Sequence, residues 1–297
     1  MTKLSERTML VSLHIGSYSG MMFDKEATES FNETMGADIK TAGRYNKRLI
    51  NTMFLKDVSA AHNAARKIHR LLTLPWDDDG TRILTTKGYM NYTKMLKDCR
   101  LKSEGEVRAF IKNRQAAIDE AKVRLGDLFN ADDYPDEDGL AEKFSFDVEI
   151  KPMPESGDFR AQLSDEAVKA VVKDIERRSN KRIEDAMRDV FSRVADLVRR
   201  MAERLRAYQP PVKGEDGGKR SSGVFRDSVV YDIHEMVEML PSLNVTEDPR
   251  VDELIKQLSS ELVEHSPEIL RADAKVRAQT ITKADAILKK VERYMKR

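Results

Sequence analysis

The run from Ser164 to Tyr208 constrains this chain more than any other part of it. Val168, Val172, Ile175, Ile183, Met187, Val190, Val194, Leu197, Met201, Leu205 and Tyr208 step by threes and fours, and Ser179 is the one polar residue in the seam. So narrow a stripe over so many turns predicts a helix laid along another helix, not one sunk in a globular core. Ser164 followed by Asp165 and Glu166 supplies its start, because the hydroxyl accepts an orphan amide and the acids meet the positive end of the dipole.

A second helical pattern runs from about Leu84 to Leu128, with Tyr89, Tyr92, Leu96, Cys99, Val107, Phe110, Ile118, Ala121, Leu125 and Leu128 in its seam. Ser103 and Gly105 predict a kink there. Between the two patterns, residues 130–163 form an insert with an acidic, turn-rich beginning at Asn130–Gly139. Phe144, Phe146, Val148 and Ile150 then alternate with polar residues, and Phe159 to Leu163 alternates again, which predicts a β-hairpin. The hairpin's apolar side, Phe144, Phe146, Val148 and Ile150, is a candidate protein-interaction face, since an isolated hairpin is marginal in water.

The expected architecture is therefore mainly α: a long antiparallel, coiled-coil-like helical pair with a small β-hairpin insert and a flanking helical bundle. Residues 1–83 read as an N-terminal strand plus a basic helical segment, and 84–208 as the helical pair. Residues 209–223, with two prolines and four glycines, read as a flexible linker. Helices from Phe225 to Leu240 (stopped near Pro241), Pro249 to Glu264 and Lys275 to Lys296 complete the chain. In the first segment, Met9–Ile15 reads as a strand, Asp24 caps a helix closed by Gly36, and Val58 to Leu72 forms another helix. Leu74–Gly80, with Pro75, three aspartates and Gly80, is a break.

Charged residues make up 35% of the chain at a net charge of +1. That favours long solvated helices, and the overall balance points to neither nucleic acid nor membrane. No window of 18 uncharged apolar residues occurs, and no long apolar stretch follows the N-terminus. Neither a spanning helix nor a secretory leader is expected, and a cytoplasmic protein is. One cysteine, Cys99, excludes an internal disulfide and reads as a buried structural thiol.

Charge is uneven locally. Between Lys40 and Leu72, eight cations face one acid, Asp57. Arg44, Lys47, Arg48, Arg66, Lys67 and Arg70, with Tyr45 as a stacking group, form a candidate contact for nucleic acid. The bland alternative is that these cations meet the acidic insert, or an acidic partner, through salt bridges.

Catalytic and metal signatures are missing from the sequence. A calcium loop with Gly139 in sixth place needs a ligand where Tyr134 stands. The five histidines have no zinc spacing, and Gly218-Lys219 follows no strand. Gly16-Ser-Tyr-Ser-Gly20 lacks the context of a nucleophile elbow. No cofactor is expected.

Ala42-Gly-Arg-Tyr-Asn-Lys47, Leu74-Pro-Trp-Asp-Asp-Asp-Gly80, Ala121-Lys-Val-Arg-Leu-Gly-Asp-Leu-Phe129 and Gly157-Asp-Phe-Arg160 resemble, in order, a phage and mobile-element family carried as a domain of unknown function. Phe225-Arg-Asp-Ser228 and Leu240-Pro-Ser-Leu-Asn244 extend the resemblance over essentially the whole chain. Such proteins are encoded beside a MoxR-type AAA+ ATPase and a von Willebrand factor A-type subunit. The resemblance implies a non-enzymatic scaffold or adaptor in an ATPase-linked assembly and transfers no catalytic residue. A nucleic-acid-binding accessory protein is the alternative, and self-association is left open.

Overall fold

In the computed structural model of this protein the chain is mainly helical with a small antiparallel sheet. Residues 3–38, 41–155, 164–210, 212–213, 219–220 and 225–296 are described. The elements run α1 (Leu4–Arg7), β1 (Thr8–Gly16), β2 (Met21–Phe23), α2 (Lys25–Thr34), β3 (Asn46–Arg48), α3 (Lys56–Leu72), β4 (Leu74–Pro75) and β5 (Arg82–Thr85). Then come α4 (Thr86–Lys112), α5 (Arg114–Leu125), α6 (Glu137–Ala141), β6 (Ser145–Pro152) and α7 (Asp165–Ala207). The chain closes with β7 (Val212–Lys213), β8 (Lys219–Arg220), α8 (Ser228–Leu243), α9 (Pro249–Glu261), α10 (Pro267–Ala272) and α11 (Ala274–Met295).

Two compact units interleave along the chain, where the sequence suggested four consecutive segments. One gathers Met1–Ser12, Leu71–Met90 and Ile150–Arg297; the other gathers Leu13–Arg70 and Asn91–Glu149.

The first unit is organised by α7. Ser164 caps it, its hydroxyl accepting from the Ala167 N–H at 3.3 Å. The seam is real and its covering is local: α7 packs along α11 and on α8. From Ala186 onward it buries Met187, Val190, Phe191, Val194, Ala195, Val198, Met201, Ala202 and Leu205. Ala284, Ile287 and Val291 of α11, and Ile233, Met236 and Leu240 of α8, are buried as well. The earlier turns, with Val168, Val172 and Ile175, are only half-buried. So the helix expected to pair with the 84–128 pattern takes its partners from the C-terminal helices instead. Helix α8 also continues past Pro241, which lies in its last turn. The ring removes one i→i−4 bond there, and only Ser242 and Leu243 of the helix follow it. In this unit Thr8–Val11 of β1 pair antiparallel with Arg82–Thr85 of β5, and β4 flanks β5.

In the second unit Leu49, Ile50, Leu55, Val58, Phe110, Ala117 and Leu140 form the core, with Phe144 and Tyr134 packed on it. No break falls at Ser103 and Gly105. Helix α4 runs through both and breaks at Asn113, whose side chain donates to the Ala109 carbonyl at 2.9 Å and so competes with the next turn. Strand β6 forms, but it lies beside β1. Its expected hairpin partner, Phe159–Leu163, falls outside the described residues. Val212 and Lys213 pair with Arg220 and Lys219 inside the stretch expected to be a linker.

His62, on α3, is buried with its Nδ1 unpartnered and its ring 6.5 Å from that of Phe144. Burial, then the neighbouring Arg66 charge, pushes its pKa below the ordinary histidine value. The folded state therefore binds fewer protons than the unfolded one. Stability is full above the unfolded value of about 6.5 and falls as pH drops through it. We expect urea unfolding to show this loss between about pH 7 and 5, and His62→Leu to flatten it.

A candidate protein-binding face anchored by a buried lysine

Lys47 was expected on the surface. It is 4% exposed. Its Nζ lies 2.6 Å from Asp133 Oδ2 and 3.0 Å from Asp24 Oδ2, and it donates to the Leu128 carbonyl at 3.0 Å. One hydrogen bond to a carbonyl and two close carboxylates compensate the buried ammonium, though Asp133 Oδ2 accepts no well-aligned hydrogen bond. Burial alone depresses the lysine, but the carboxylates, Asp133 before Asp24, outweigh it and hold the group above its ordinary pKa. Asp24 is held below the usual carboxylate range by the Ala27 N–H it caps and then by Lys47. A lysine so held stays protonated and cannot act as a nucleophile. It is a tie, joining β3, the start of α2 and the acidic turn.

Other bonds hold the same arm. The Thr28 hydroxyl donates to the Asp24 carbonyl at 2.6 Å and accepts from the Tyr45 N–H at 2.9 Å. Arg124 donates to the Arg48 carbonyl at 3.0 Å, and the Tyr134 hydroxyl donates to the Leu49 carbonyl at 3.2 Å. Gly20 opens the arm at φ +64°, and a Cβ there would meet Ile50 Cβ at 2.9 Å. Only glycine fits both the backbone angle and the space.

The arm presents β2, whose residues are all exposed. Met21 stands opposite Arg48, Met22 opposite Lys47 and Phe23 opposite Asn46. Directly opposed residues share a side of the ribbon. Lys47 therefore points inward with Met22, while Met21, Phe23, Asn46 and Arg48 share the outer side. The Arg44 guanidinium sits 4.3 Å from the centroid of the Phe23 ring. Among the described residues neither Arg44 nor Arg48 has a carboxylate partner. Phe31, Met35, Tyr45 and Met53 of the same unit are exposed too, so half of the large apolar side chains found exposed lie between Met21 and Met53.

The remaining cations of the sequence candidate separate from this face. Arg66, Lys67 and Arg70 lie on α3, with Lys67 and Arg70 exposed and Arg66 half-buried. Arg66 reaches only Asn63, at 3.4 Å, and Arg70 donates to the Arg66 carbonyl at 3.2 Å. Lys40 lies outside the described residues. The acidic insert engages Lys47 through Asp133. In the hairpin candidate Phe144 packs edge-on to Phe110 at 6.0 Å, Phe144, Phe146 and Val148 are half-buried, and Ile150 is exposed. Sequence reasoning missed Met21-Met22-Phe23. The signal was present, three large apolar residues between a turn glycine and a cap aspartate, too short to score as a strand.

Among the described residues no group of His, Cys, Asp and Glu could hold a metal, and no helix is long and apolar enough to cross a membrane. Burial raises the Cys99 thiol, away from nucleophilic use. Comparison of the chain with protein-family models, characterised proteins and solved structures finds no match.

Removing the Lys47 charge leaves two poorly solvated carboxylates facing each other. Lys47→Met should cost about 3–5 kcal/mol in urea unfolding, whereas Arg48→Met beside it should cost under about 0.5 kcal/mol. Asp24→Asn with Asp133→Asn in the Lys47→Met background should recover most of the loss, because asparagine still caps α2.

Proposed function

We propose that this protein is a non-enzymatic adaptor that binds a partner protein through the outer side of the β2–β3 ribbon. The observation that carries the reading is the composition of that side: Met21, Phe23, Arg44 and Arg48, exposed and rigidly backed by the Lys47 tie. Methionine, aromatic residues and arginine are enriched in the cores of protein interfaces, and arginines and large aromatics carry most hot spots. Surrounding polar groups offer no nucleophile, metal cage or general acid–base pair to set against this. The resemblance to the phage family makes a MoxR-type AAA+ ATPase and a von Willebrand factor A-type subunit the first partners to try.

A second reading has its own support. Lys56 and Lys67 are exposed on α3 without an acidic partner among the described residues, and Arg66 and Arg70 extend the same helix. At about 1.5 Å per residue, Lys56 to Arg70 spans roughly 21 Å of helix, long enough to follow several phosphates.

Affinity capture with the tagged full chain, nuclease-treated, distinguishes them. The adaptor reading expects a protein partner retained by the wild type and weakened about thirtyfold by Phe23→Ala with Arg44→Glu and Arg48→Glu, the scale of one 2 kcal/mol hot spot. Retention unaffected by those changes overturns it. The nucleic-acid reading expects affinity for duplex DNA to fall linearly on a log–log salt plot, with Arg66→Ala or Lys67→Ala each lowering the slope by about 1.

A further inference from the structure

A two-stranded ribbon has two outer edges, and one edge of this ribbon is open. Leu49 N–H donates to the Gly20 carbonyl at 2.8 Å, and Asp24 N–H donates to the Tyr45 carbonyl at 3.0 Å. The bonded pairs of the ladder therefore fall at residues 20, 22 and 24. In an antiparallel pair the intervening residues turn their main-chain groups the other way. Those residues are Met21 and Phe23. Their N–H and C=O groups face away from β3, and there, among the described residues, the Met21 N–H donates to the Ser19 hydroxyl at 3.3 Å, a local bond that an added strand would replace. Among the described residues β2 pairs with β3 alone, and Met21 and Phe23 are 43% and 38% exposed.

An edge with alternating donors and acceptors is complementary to another peptide main chain, which carries both. A phosphate backbone carries acceptors only and cannot satisfy the Met21 and Phe23 carbonyls. On the side-chain level the same edge offers Met21 and Phe23, bordered by two guanidinium groups, Arg44 and Arg48, that no described carboxylate neutralises. A segment matching both features is extended and carries apolar and acidic side chains on the same face, at every second position. Lysine-rich or proline-interrupted segments fail on charge or on main-chain donors.

From this juxtaposition we infer that β2 accepts, as a third strand, an extended acidic–apolar segment of a partner protein, bonded to the main chain of Met21 and Phe23 with its carboxylates on Arg44 and Arg48. The inference rests on the adaptor reading above and specifies how the partner is held. Three residues form a short template, so the contact is a weak one, reinforced by whatever else the partner touches.

The test uses the full-length protein and a fluorescein-labelled ten-residue peptide with threonine at every second position and valine and glutamate taking turns at the positions between. Anisotropy should report binding, with amide exchange slowed at Met21 and Phe23. Arg44→Glu with Arg48→Glu should weaken binding at least tenfold, and an unchanged thermal midpoint confirms that the fold survives. Methylating alternate peptide nitrogens on one edge should weaken binding about tenfold, while methylating the opposite edge leaves it intact. The strand-addition proposal is overturned by absent binding, by equal effects of the two methylated sets, or by equal binding of a valine–lysine peptide or a single-stranded oligonucleotide. If it is overturned while partner capture still depends on Phe23, Arg44 and Arg48, the adaptor reading stands and only the mode of contact is wrong. If capture ignores those residues, the adaptor reading falls with it.

Discussion

A single ammonium group, on Lys47, sets the geometry of the exposed ribbon. Its two carboxylate partners are far apart in the chain, Asp24 at the start of α2 and Asp133 in the acidic turn after α5. A buried ion pair of this kind contributes little net stability, because desolvation consumes most of the attraction. Its effect is on register. If β3 slipped by one residue, Arg48 would turn inward and Lys47 outward, exposing the tie and burying a guanidinium without acceptors. A three-residue strand has too few ladder bonds to resist that by itself. The lysine resists it for the ribbon.

The same arrangement sorts the basic segment into two kinds of cation. Lys47 is consumed inside the fold and serves geometry. Arg44, Arg48, Lys56 and Lys67 keep their charge at the surface, unneutralised by the described acids. Counting charges along the sequence cannot separate these roles, because the difference lies in which side of a strand or helix each residue occupies.

The helices were largely legible. Ser164 capping α7, Asp24 capping α2 and the break at Leu74–Gly80 follow from local chemistry that needs no knowledge of distant residues. The apolar seam of α7 was also legible, but not what covers it. A seam states that a face is buried, and any amphipathic helix of suitable length satisfies it; here α11 and α8 do so. Gly105 shows the converse error: a half-buried glycine inside a helix weakens the helix without breaking it. The ribbon was the least legible part, since strands of three residues carry almost no periodic signal and Lys47 meets Asp133 across 85 intervening positions of chain.

The interleaving of the two units has a consequence for the order in which the chain is made. Every segment of the unit built from Leu13–Arg70 and Asn91–Glu149 has been synthesised before α7 begins. That unit can collapse around Leu49, Ile50 and Phe110 while translation continues. Met1–Ser12 belong to the other unit, and the partner of their strand, Arg82–Thr85, also precedes α7. The Met21–Arg48 ribbon likewise has both carboxylates of its tie, Asp24 and Asp133, before α7 is made.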